Sequence, residues 1–374
     1  MATGFKFEKE EDFNPEVMGR SLCMSFDAVV SSFARRPEER VLGALSSYIY
    51  DMPQYPGDRV KGGVYYSRYV KLPTSLIPQR QPSLLKQFAS TVREYVGVGS
   101  SFFDLGPGPE WSVMKNTIPA LRSLEPSEYF AVDIELKFTT EACKVVAREF
   151  PNISAQGTAV DFHSQCLPRH KSDTSIIWYP GSTLGNLPAK PGERFIENQF
   201  VLKHLKQLKK IDSSSEYSSS QSSQNEQRYL VLLMDSQKDR VDSMVNLYSS
   251  EEAKGCFMSI LHKLKRDLQA HDFNPEAFSY SPRWNDYSSV VEHQFTALET
   301  QEFLITDCFT GREETIKVLN GESYTLANSM KPSHEEMKSL LSRSGWETLI
   351  STWDTERQLY ILLAQASGLE KKSK

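Results

Sequence analysis

Residues 176–187 read Ile-Ile-Trp-Tyr-Pro-Gly-Ser-Thr-Leu-Gly-Asn-Leu, a short apolar run that ends in small and polar residues. Such a run is typical of a buried parallel strand followed by a loop at its carboxyl end. Two runs upstream have the same form: residues 101–105 lead into Gly106 and Gly108, and residues 129–133 end in Asp133. The three segments predict an α/β fold with a ligand site where the parallel strands end.

The residues that follow these strands fit a bound nucleoside. Gly106 and Gly108 let the backbone approach a ligand closely before a helix that we expect to begin near Glu110. Asp133 lies where doubly wound folds place an acid that accepts both hydroxyls of a ribose. Asp161 and Phe162 then offer a carboxylate for an exocyclic amine and a ring for the face of an adenine.

Cofactors that carry phosphate fit this pattern poorly. The dinucleotide fingerprint requires a third glycine three residues after Gly108, and that position is Trp111. No Gly-x-x-x-x-Gly-Lys-Ser/Thr segment is present for a nucleoside triphosphate. The pattern therefore favours S-adenosylmethionine, a methyl donor without phosphate, and we expect Gly181, Ser182 and Thr183 to complete its site.

Composition and charge favour a small-molecule substrate. The chain has 374 residues, a formal net charge of -5 and a pI near 5.9, so it has no electrostatic footprint for nucleic acid. A small uncharged or zwitterionic substrate, such as an amino acid, fits better.

The cysteine, histidine and hydropathy patterns bear on metal binding and on the cellular compartment. Five cysteines without a Cys-x-x-Cys pair suit reduced thiols in a cytosol, and the histidines lack metal-ligand spacing, so we expect no metal. Residues 1–12 lack a signal-peptide core, and no run of about 18 apolar residues occurs. We expect a cytoplasmic monomer with no membrane partner.

Periodicity divides the chain into four segments. Residues 1–75 are helical and then rich in tyrosine, and they belong to a substrate domain. Residues 76–246 alternate strand and helix as the cofactor-binding core, with a Ser/Gln-rich surface insertion at 212–227. Residues 247–328 form a smaller α+β substrate domain. Residues 329–374 read as helix, strand, strand, and complete the Rossmann-like sheet of class I methyltransferase type with an antiparallel edge.

The tyrosines of the first segment allow two interpretations. They are Tyr48, Tyr50, Tyr55, Tyr65, Tyr66 and Tyr69. They could form the wall of a substrate pocket, but for most of them we expect ordinary packing with a buried ring and a hydrated hydroxyl.

With these residues identified, the chain resembles the histidine Nα-methyltransferase family of ergothioneine biosynthesis, whose relatives include fungal enzymes that methylate tryptophan or dimethylallyltryptophan. Residues 181–187 look like the family's Gly-Ser-Thr-Ile-Gly-Asn segment, and this is the most specific match. The supporting matches are residues 53–56, 104–108 and 272–278, Asp235-x-x-Lys238-Asp239, Tyr248, Trp284-Asn285 and Ser329-x-Lys331.

The resemblance implies roles for several residues. Asn186 and Tyr248 would hold the α-amino and carboxylate groups of an amino acid, Tyr55 would lie at the methyl-transfer channel, and Ser329 would contact the substrate. Read from the sequence alone, Asn186 could instead cap the following helix, although its place after a strand favours ligand binding. Tyr55, Tyr248 and water stay open as acceptors of the proton that the substrate amine must lose.

One departure from the family pattern concerns the substrate. The histidine enzymes carry an acidic residue two positions before the serine of Ser-x-Lys, where it binds the imidazole, and here that position is Ala327. An imidazole N–H without its partner costs roughly 1 to 3 kcal/mol. We therefore expect tryptophan or a tryptophan derivative. Histidine, another small amine, and a catalytically silent binding protein on the same fold are the alternatives, and Glu322 is the nearest upstream acid.

Overall fold

The computed structural model describes residues 23–53, 56–163, 166–210, 226–236 and 240–367. The strands are β1 (Ser101–Leu105), β2 (Glu128–Asp133), β3 (Ser154–Ala159), β4 (Thr174–Tyr179), β5 (Gln227–Asp235), β6 (Phe278–Asn285), β7 (Val290–Ala297), β8 (Gln301–Thr306), β9 (Glu313–Val318), β10 (Ser323–Met330), β11 (Trp346–Trp353) and β12 (Leu359–Ala366). The α-helices are α1 (Phe26–Ser32), α2 (Gly62–Tyr69), α3 (Leu76–Val96), α4 (Glu110–Ser112), α5 (Ile118–Leu124), α6 (Leu136–Glu149), α7 (Gln199–Gln207), α8 (Val241–Tyr248), α9 (Glu251–Asp267) and α10 (His334–Arg343).

A seven-stranded sheet has the order β11-β12-β5-β4-β1-β2-β3. Strands β1 to β5 pair in parallel, β12 runs antiparallel to β5, and β11 runs antiparallel to β12. The direction of strand order reverses between β1 and β4, and open α/β sheets bind ligands at such a switch point. The predicted α/β fold with a parallel sheet is confirmed.

Both faces of this sheet are buried, which explains the continuous apolar runs in the sequence. Phe102 and Ile176 belong to the core on one face, and their neighbours Phe103 and Ile177 belong to the core on the other. Residues of α3, α5 and α6 pack on the face that carries Phe102, and residues of α7 and α10 pack on the face that carries Phe103. The parallel strands are therefore fixed from both sides.

Helix α3 begins earlier than the sequence indicates. The apolar pattern predicts a helix from Leu84, after Pro82, but the helix extends from Leu76 with Pro82 inside it. A proline within a helix removes one backbone hydrogen bond. Ile77 packs against the same core as the rest of α3, so tertiary packing extends the helix past the proline.

A second core lies beside the main sheet. It combines a three-stranded antiparallel sheet, β10-β7-β6, with the β8-β9 hairpin and helices α1 and α9. Val29 of the N-terminal segment and Phe257 of α9 share this core, which is consistent with a substrate domain built from residues 1–75 and 247–328. The domain boundaries themselves stay a prediction.

Two further sequence predictions concern a polar insertion and membrane-spanning segments. The Ser/Gln-rich insertion predicted at 212–227 lies outside the described residues, apart from Glu226 and from Gln227, which begins β5. No helix among the described residues has both the length and the apolar character needed to cross a bilayer.

Candidate functional site

A large cleft lies where the parallel strands end, between the main sheet and the second core. Its empty volume is about 1590 Å³, including the part open to solvent. The predicted site residues that line it are Gly106, Gly108, Asp133, Asp161, Phe162, Gly181, Ser182, Thr183, Asn186, Tyr248 and Ser329. The cleft therefore brings the predicted cofactor-binding and substrate-binding residues together around one space.

Two predicted site residues are not among the described residues that line this cleft. Tyr55 lies outside the described residues. Ala327 is fully buried in the second core and does not line the cleft. The pairing of β10 with β7 shifts between Thr325 and Ala327, and this irregularity lets consecutive residues, Leu326 and Ala327, enter the same core. The prediction that Ala327 forms part of the substrate wall is therefore not supported.

The turn after β1 has the backbone geometry expected for close contact with a ligand. Gly106 and Gly108 both have φ of +69°, a left-handed conformation that glycine adopts without strain. The Gly106 N–H donates to the carbonyl of Val132 at 2.8 Å, which ties the turn to the end of β2. Asp104 accepts hydrogen bonds from Thr117 and Tyr129 and does not line the cleft, so it anchors the turn.

Asp133 ends β2 with its carboxylate beside the same turn. It is 7% exposed, and one of its oxygens accepts a hydrogen bond from the backbone N–H of Glu135 at 3.0 Å. Burial raises the pKa of Asp133 to about 7. A carboxylate has about four acceptor sites, so acceptor capacity is left for the two hydroxyls of a ribose.

Asp133 should make cofactor affinity depend on pH. The predicted ribose hydroxyls would donate to the ionised carboxylate, and because the pKa of Asp133 is raised to about 7, a proton must leave it on binding below that pH. We expect the affinity for S-adenosylhomocysteine to fall as the pH is lowered from 8 to 5.5, approaching a tenfold loss for each pH unit. Isothermal titration calorimetry measures this dependence.

The matched control for this pH dependence is Asp133→Asn. This variant should bind more weakly and show no dependence between the same pH limits, since its amide does not titrate. An affinity of the parent protein that is flat with pH would contradict the role of Asp133.

The end of the cleft beyond Asp133 combines neutral aromatic rings with one carboxylate, Asp161. Phe162 is buried and packs edge-on against His163 and Tyr179 at centroid distances of 4.6 and 5.7 Å. Burial holds the pKa values of His163 and of nearby His204 below the usual range, so both rings are neutral near pH 7. Asp161 accepts a hydrogen bond from the His163 backbone at 3.0 Å. This arrangement suits a purine.

The loop after β4 connects the cofactor side of the cleft to the second core. Ser182 adopts φ of +57°, and its hydroxyl accepts a hydrogen bond from the Asp235 backbone N–H at 2.9 Å. A Cβ added at Gly185 would lie 2.7 Å from the carbonyl oxygen of Met330, so only glycine allows this loop to pack directly on β10. This close packing places Asn186 beside the cleft end that carries Ser329.

Asn186 and Tyr248 are held by hydrogen bonds at the far end of the cleft. The Asn186 amide donates to the Tyr50 hydroxyl at 2.8 Å. The Lys331 ammonium donates to the Tyr248 hydroxyl at 3.2 Å and to the Asp235 carboxylate at 3.0 Å. Burial alone would lower the pKa of Lys331, but Asp235 and Tyr248 together raise it above its usual value. Lys331 is therefore a buried cation that fixes Tyr248.

Three tyrosines form one wall of the cleft. Tyr66 packs edge-on against Tyr50 at 4.7 Å and stacks with Tyr69 at 6.4 Å, and Tyr69 stacks with Tyr248 at 6.3 Å. Burial raises the pKa values of Tyr50, Tyr66 and Tyr69, so their phenols stay neutral near pH 7. Of the tyrosines for which we expected ordinary packing, Tyr48 and Tyr65 pack against the second core and do not line the cleft.

Sequence reasoning missed the residues that position others. The structure adds the positioning roles of Tyr50, Lys331 and Asp235. Tyr50 was among the tyrosines considered for the pocket wall and the other two lay within quoted motifs, but nothing in the sequence indicated their partners. Arg266 pairs with Asp51 at 2.6 Å and with Asp58 at 2.8 Å. Among the described residues, no group of His, Cys, Asp or Glu could hold a metal ion.

A parallel sheet with a switch point, a glycine turn after its first strand and an acid at the end of the second are features of class I methyltransferases that use S-adenosylmethionine. A family model described as "Histidine-specific methyltransferase, SAM-dependent" matches residues 28–366, and the chain belongs to this family. No curated protein sequence matches the chain significantly.

Solved structures of methyltransferases are similar to this chain only at low sequence identity. An S-adenosylmethionine-dependent methyltransferase from Clostridium acetobutylicum is 11% identical, with 81% of this chain and 99% of that chain covered and a TM-score of 0.41. A magnesium protoporphyrin IX methyltransferase from Synechocystis with bound S-adenosylhomocysteine is 12% identical, with 82% and 94% covered and a TM-score of 0.42.

Proposed function

We propose that this protein transfers a methyl group from S-adenosylmethionine to the α-amine of an aromatic amino acid, with tryptophan or a tryptophan derivative preferred. The observation that carries the proposal is the pair Asn186 and Tyr248 on the cleft that also contains Asp133, with Tyr248 held by buried Lys331. An amide and a phenol can bind the amino and carboxylate groups of a zwitterion.

The residues fit S-adenosylmethionine by their donor chemistry. Asp133 would hold the ribose of the cofactor, and Asp161 and Phe162 would hold its adenine. The turns at Gly106 and Gly181 would hold the rest of the cofactor. When bound, this cofactor supplies an electrophilic methyl group. The protein's task is to place a neutral amine in line with that methyl group, about 3 Å from it. The high pKa values of Tyr50, Tyr66 and Tyr69 argue against these phenols as the base that deprotonates the amine.

The lining of the far end favours a large apolar side chain. Met244, Leu247 and Phe257 line the cleft there, together with the tyrosine wall. The carboxylates among the described lining residues are Asp133 and Asp161 at the cofactor end and Asp235, which pairs with Lys331 at 2.9 Å. This environment suits an indole better than a charged imidazolium.

Histidine is the second candidate substrate, and family membership favours it. A neutral imidazole would fit the same end of the cleft, with one N–H toward Ser329. The two candidates share every residue of the cofactor site and differ only in the ring.

Mass spectrometry of separate reactions with tryptophan, histidine, other amino acids and the matching decarboxylated amines tests the proposal. We expect S-adenosylmethionine-dependent gain of one or more methyl masses on tryptophan and none on tryptamine, since tryptamine lacks the carboxylate. Methylated histidine alone would replace the preferred substrate by the second candidate. Tight binding of S-adenosylhomocysteine without methylation of any amino acid would refute the proposed function.

A further inference from the structure

A chain of hydrogen bonds, buried at His293 and Ser329 and partly buried at Tyr280, lies behind the far end of the cleft. The Tyr280 hydroxyl lies 3.2 Å from the carbonyl oxygen of Tyr248 and 2.8 Å from Nδ1 of His293. Nε2 of His293 lies 3.0 Å from the hydroxyl of Ser329, which lines the cleft, whereas His293 does not. The chain therefore connects the end of helix α8 to a single hydroxyl on the cleft wall.

Each hydroxyl in this chain has one proton to donate, and so has the neutral imidazole, and this fixes the direction of the hydrogen bonds. Tyr248 is the last residue of α8, and carbonyl groups of a last helical turn have no partner within the helix. The Tyr280 proton supplies that partner. Tyr280 then accepts at its oxygen, so Nδ1 of His293 carries the imidazole proton and Nε2 accepts the proton of Ser329.

The opposite direction leaves an acceptor unsatisfied. If Tyr280 donated to Nδ1 of His293, its oxygen and the Tyr248 carbonyl oxygen would face each other at 3.2 Å without a proton between them. A doubly protonated His293 is disfavoured as well. Its ring is fully buried, and burial together with the charge of Lys331 holds its pKa well below the usual value.

The ring of His293 is also fixed sterically. It stacks on Phe257 with centroids 3.6 Å apart and meets Tyr248 edge-on at 4.9 Å. On β7 it is the register partner of Ala327 on β10. An imidazole held in this way offers Ser329 one acceptor in one direction.

We propose that Tyr280 and His293 hold the Ser329 hydroxyl as a hydrogen-bond acceptor toward the cleft, and that the site thereby selects an aromatic side chain that donates one ring N–H. The selectivity part of this inference rests on the proposed function. The Ser329 hydroxyl donates its proton to His293, so the lone pairs of the Ser329 oxygen stay available to the substrate. Donating a hydrogen bond also makes an oxygen a better acceptor. His293 and Tyr280 are positioning residues, since they act through Ser329.

The tautomer of His293 tests the inference without any substrate. Full-length protein labelled with ¹⁵N-histidine should show His293, identified by its loss in His293→Phe, as a neutral ring protonated at Nδ1. Tyr280→Phe removes the acceptor of that proton, so its spectrum should shift toward protonation at Nε2. The surface variant His271→Asn should leave the His293 signals unchanged. Protonation at Nε2 in the parent protein would overturn the inference.

Substrate selectivity provides the second test. Benzothienylalanine has the shape of tryptophan with sulfur in place of the indole N–H. We expect kcat/KM to favour tryptophan by at least about tenfold in the parent protein, because the analogue leaves Ser329 unpaired. This preference should fall toward equality in Ser329→Ala and in Tyr280→Phe.

The two tests separate failure of the inference from failure of the proposed function. Methylation of tryptophan with the same preference in all three proteins would refute the inference and leave the function standing. If no aromatic amino acid is methylated, the proposed function and the selectivity part both fail, and the tautomer decides the orientation of Ser329.

Discussion

Asn186→Ala should lower kcat/KM for the proposed amino-acid substrate by at least about 100-fold and change the affinity for S-adenosylhomocysteine by less than about threefold. A hydrogen bond to a charged group contributes roughly 1.5 to 3 kcal/mol, and loss of orientation at the reacting amine adds to the effect. Asn186 lies beyond the cofactor turns, on the loop that Gly185 packs against β10. Steady-state kinetics and calorimetry measure the two quantities on the same preparation.

Tyr50→Phe is the matched control for Asn186. It removes the hydroxyl that accepts from the Asn186 amide at 2.8 Å, but leaves the amide in place. We expect a loss of about tenfold or less, because the amide then keeps its substrate contact and loses only its orienting partner. Equal losses of cofactor and substrate affinity in Asn186→Ala would show that this residue supports the loop and does not bind substrate.

The cofactor half of the site was predictable because its residues follow strands directly. Residues 101–105 and 129–133 are apolar runs, and the residues after them must lie at one edge of a parallel sheet. Gly106 and Asp133 therefore fall at the cleft without knowledge of any distant contact. The same reasoning identified the loop of Gly181 and Ser182.

The substrate half was less predictable because it depends on pairs of residues far apart in the sequence. Lys331, just after β10, pairs with Asp235 at the end of β5. Asn186, after β4, donates a hydrogen bond to Tyr50 of the N-terminal segment. Ala327 shows the limit most clearly. Its place two residues before Ser329 predicts the same face of a strand, and the pairing of β10 with β7 is regular from Ala327 to Ser329, but this face lies within the second core at Ala327 and reaches the cleft at Ser329.

Lys331→Met should lower the free energy of unfolding by about 3 to 5 kcal/mol. Lys331 and Asp235 have side chains only 3% and 1% exposed and lie 2.9 Å apart, and removing one member of such a pair leaves the other charge in a poorly solvated environment. Urea denaturation of the full-length chain, without cofactor, measures this loss. The double variant Lys331→Met/Asp235→Asn should recover most of the stability, because no unpaired carboxylate remains.

Activity separates the structural role of this ion pair from its role at the site. Tyr248→Phe keeps the pair but removes the hydroxyl that accepts from the Lys331 ammonium, so it should cost about 1.5 to 3 kcal/mol of stability, less than Lys331→Met, whereas kcat/KM falls because the hydroxyl proposed to bind the substrate carboxylate is gone. The double variant regains stability but should stay poorly active, since Lys331 no longer fixes the Tyr248 hydroxyl at 3.2 Å. A fully active double variant would show that Lys331 stabilises the fold alone and that Tyr248 needs no positioning partner.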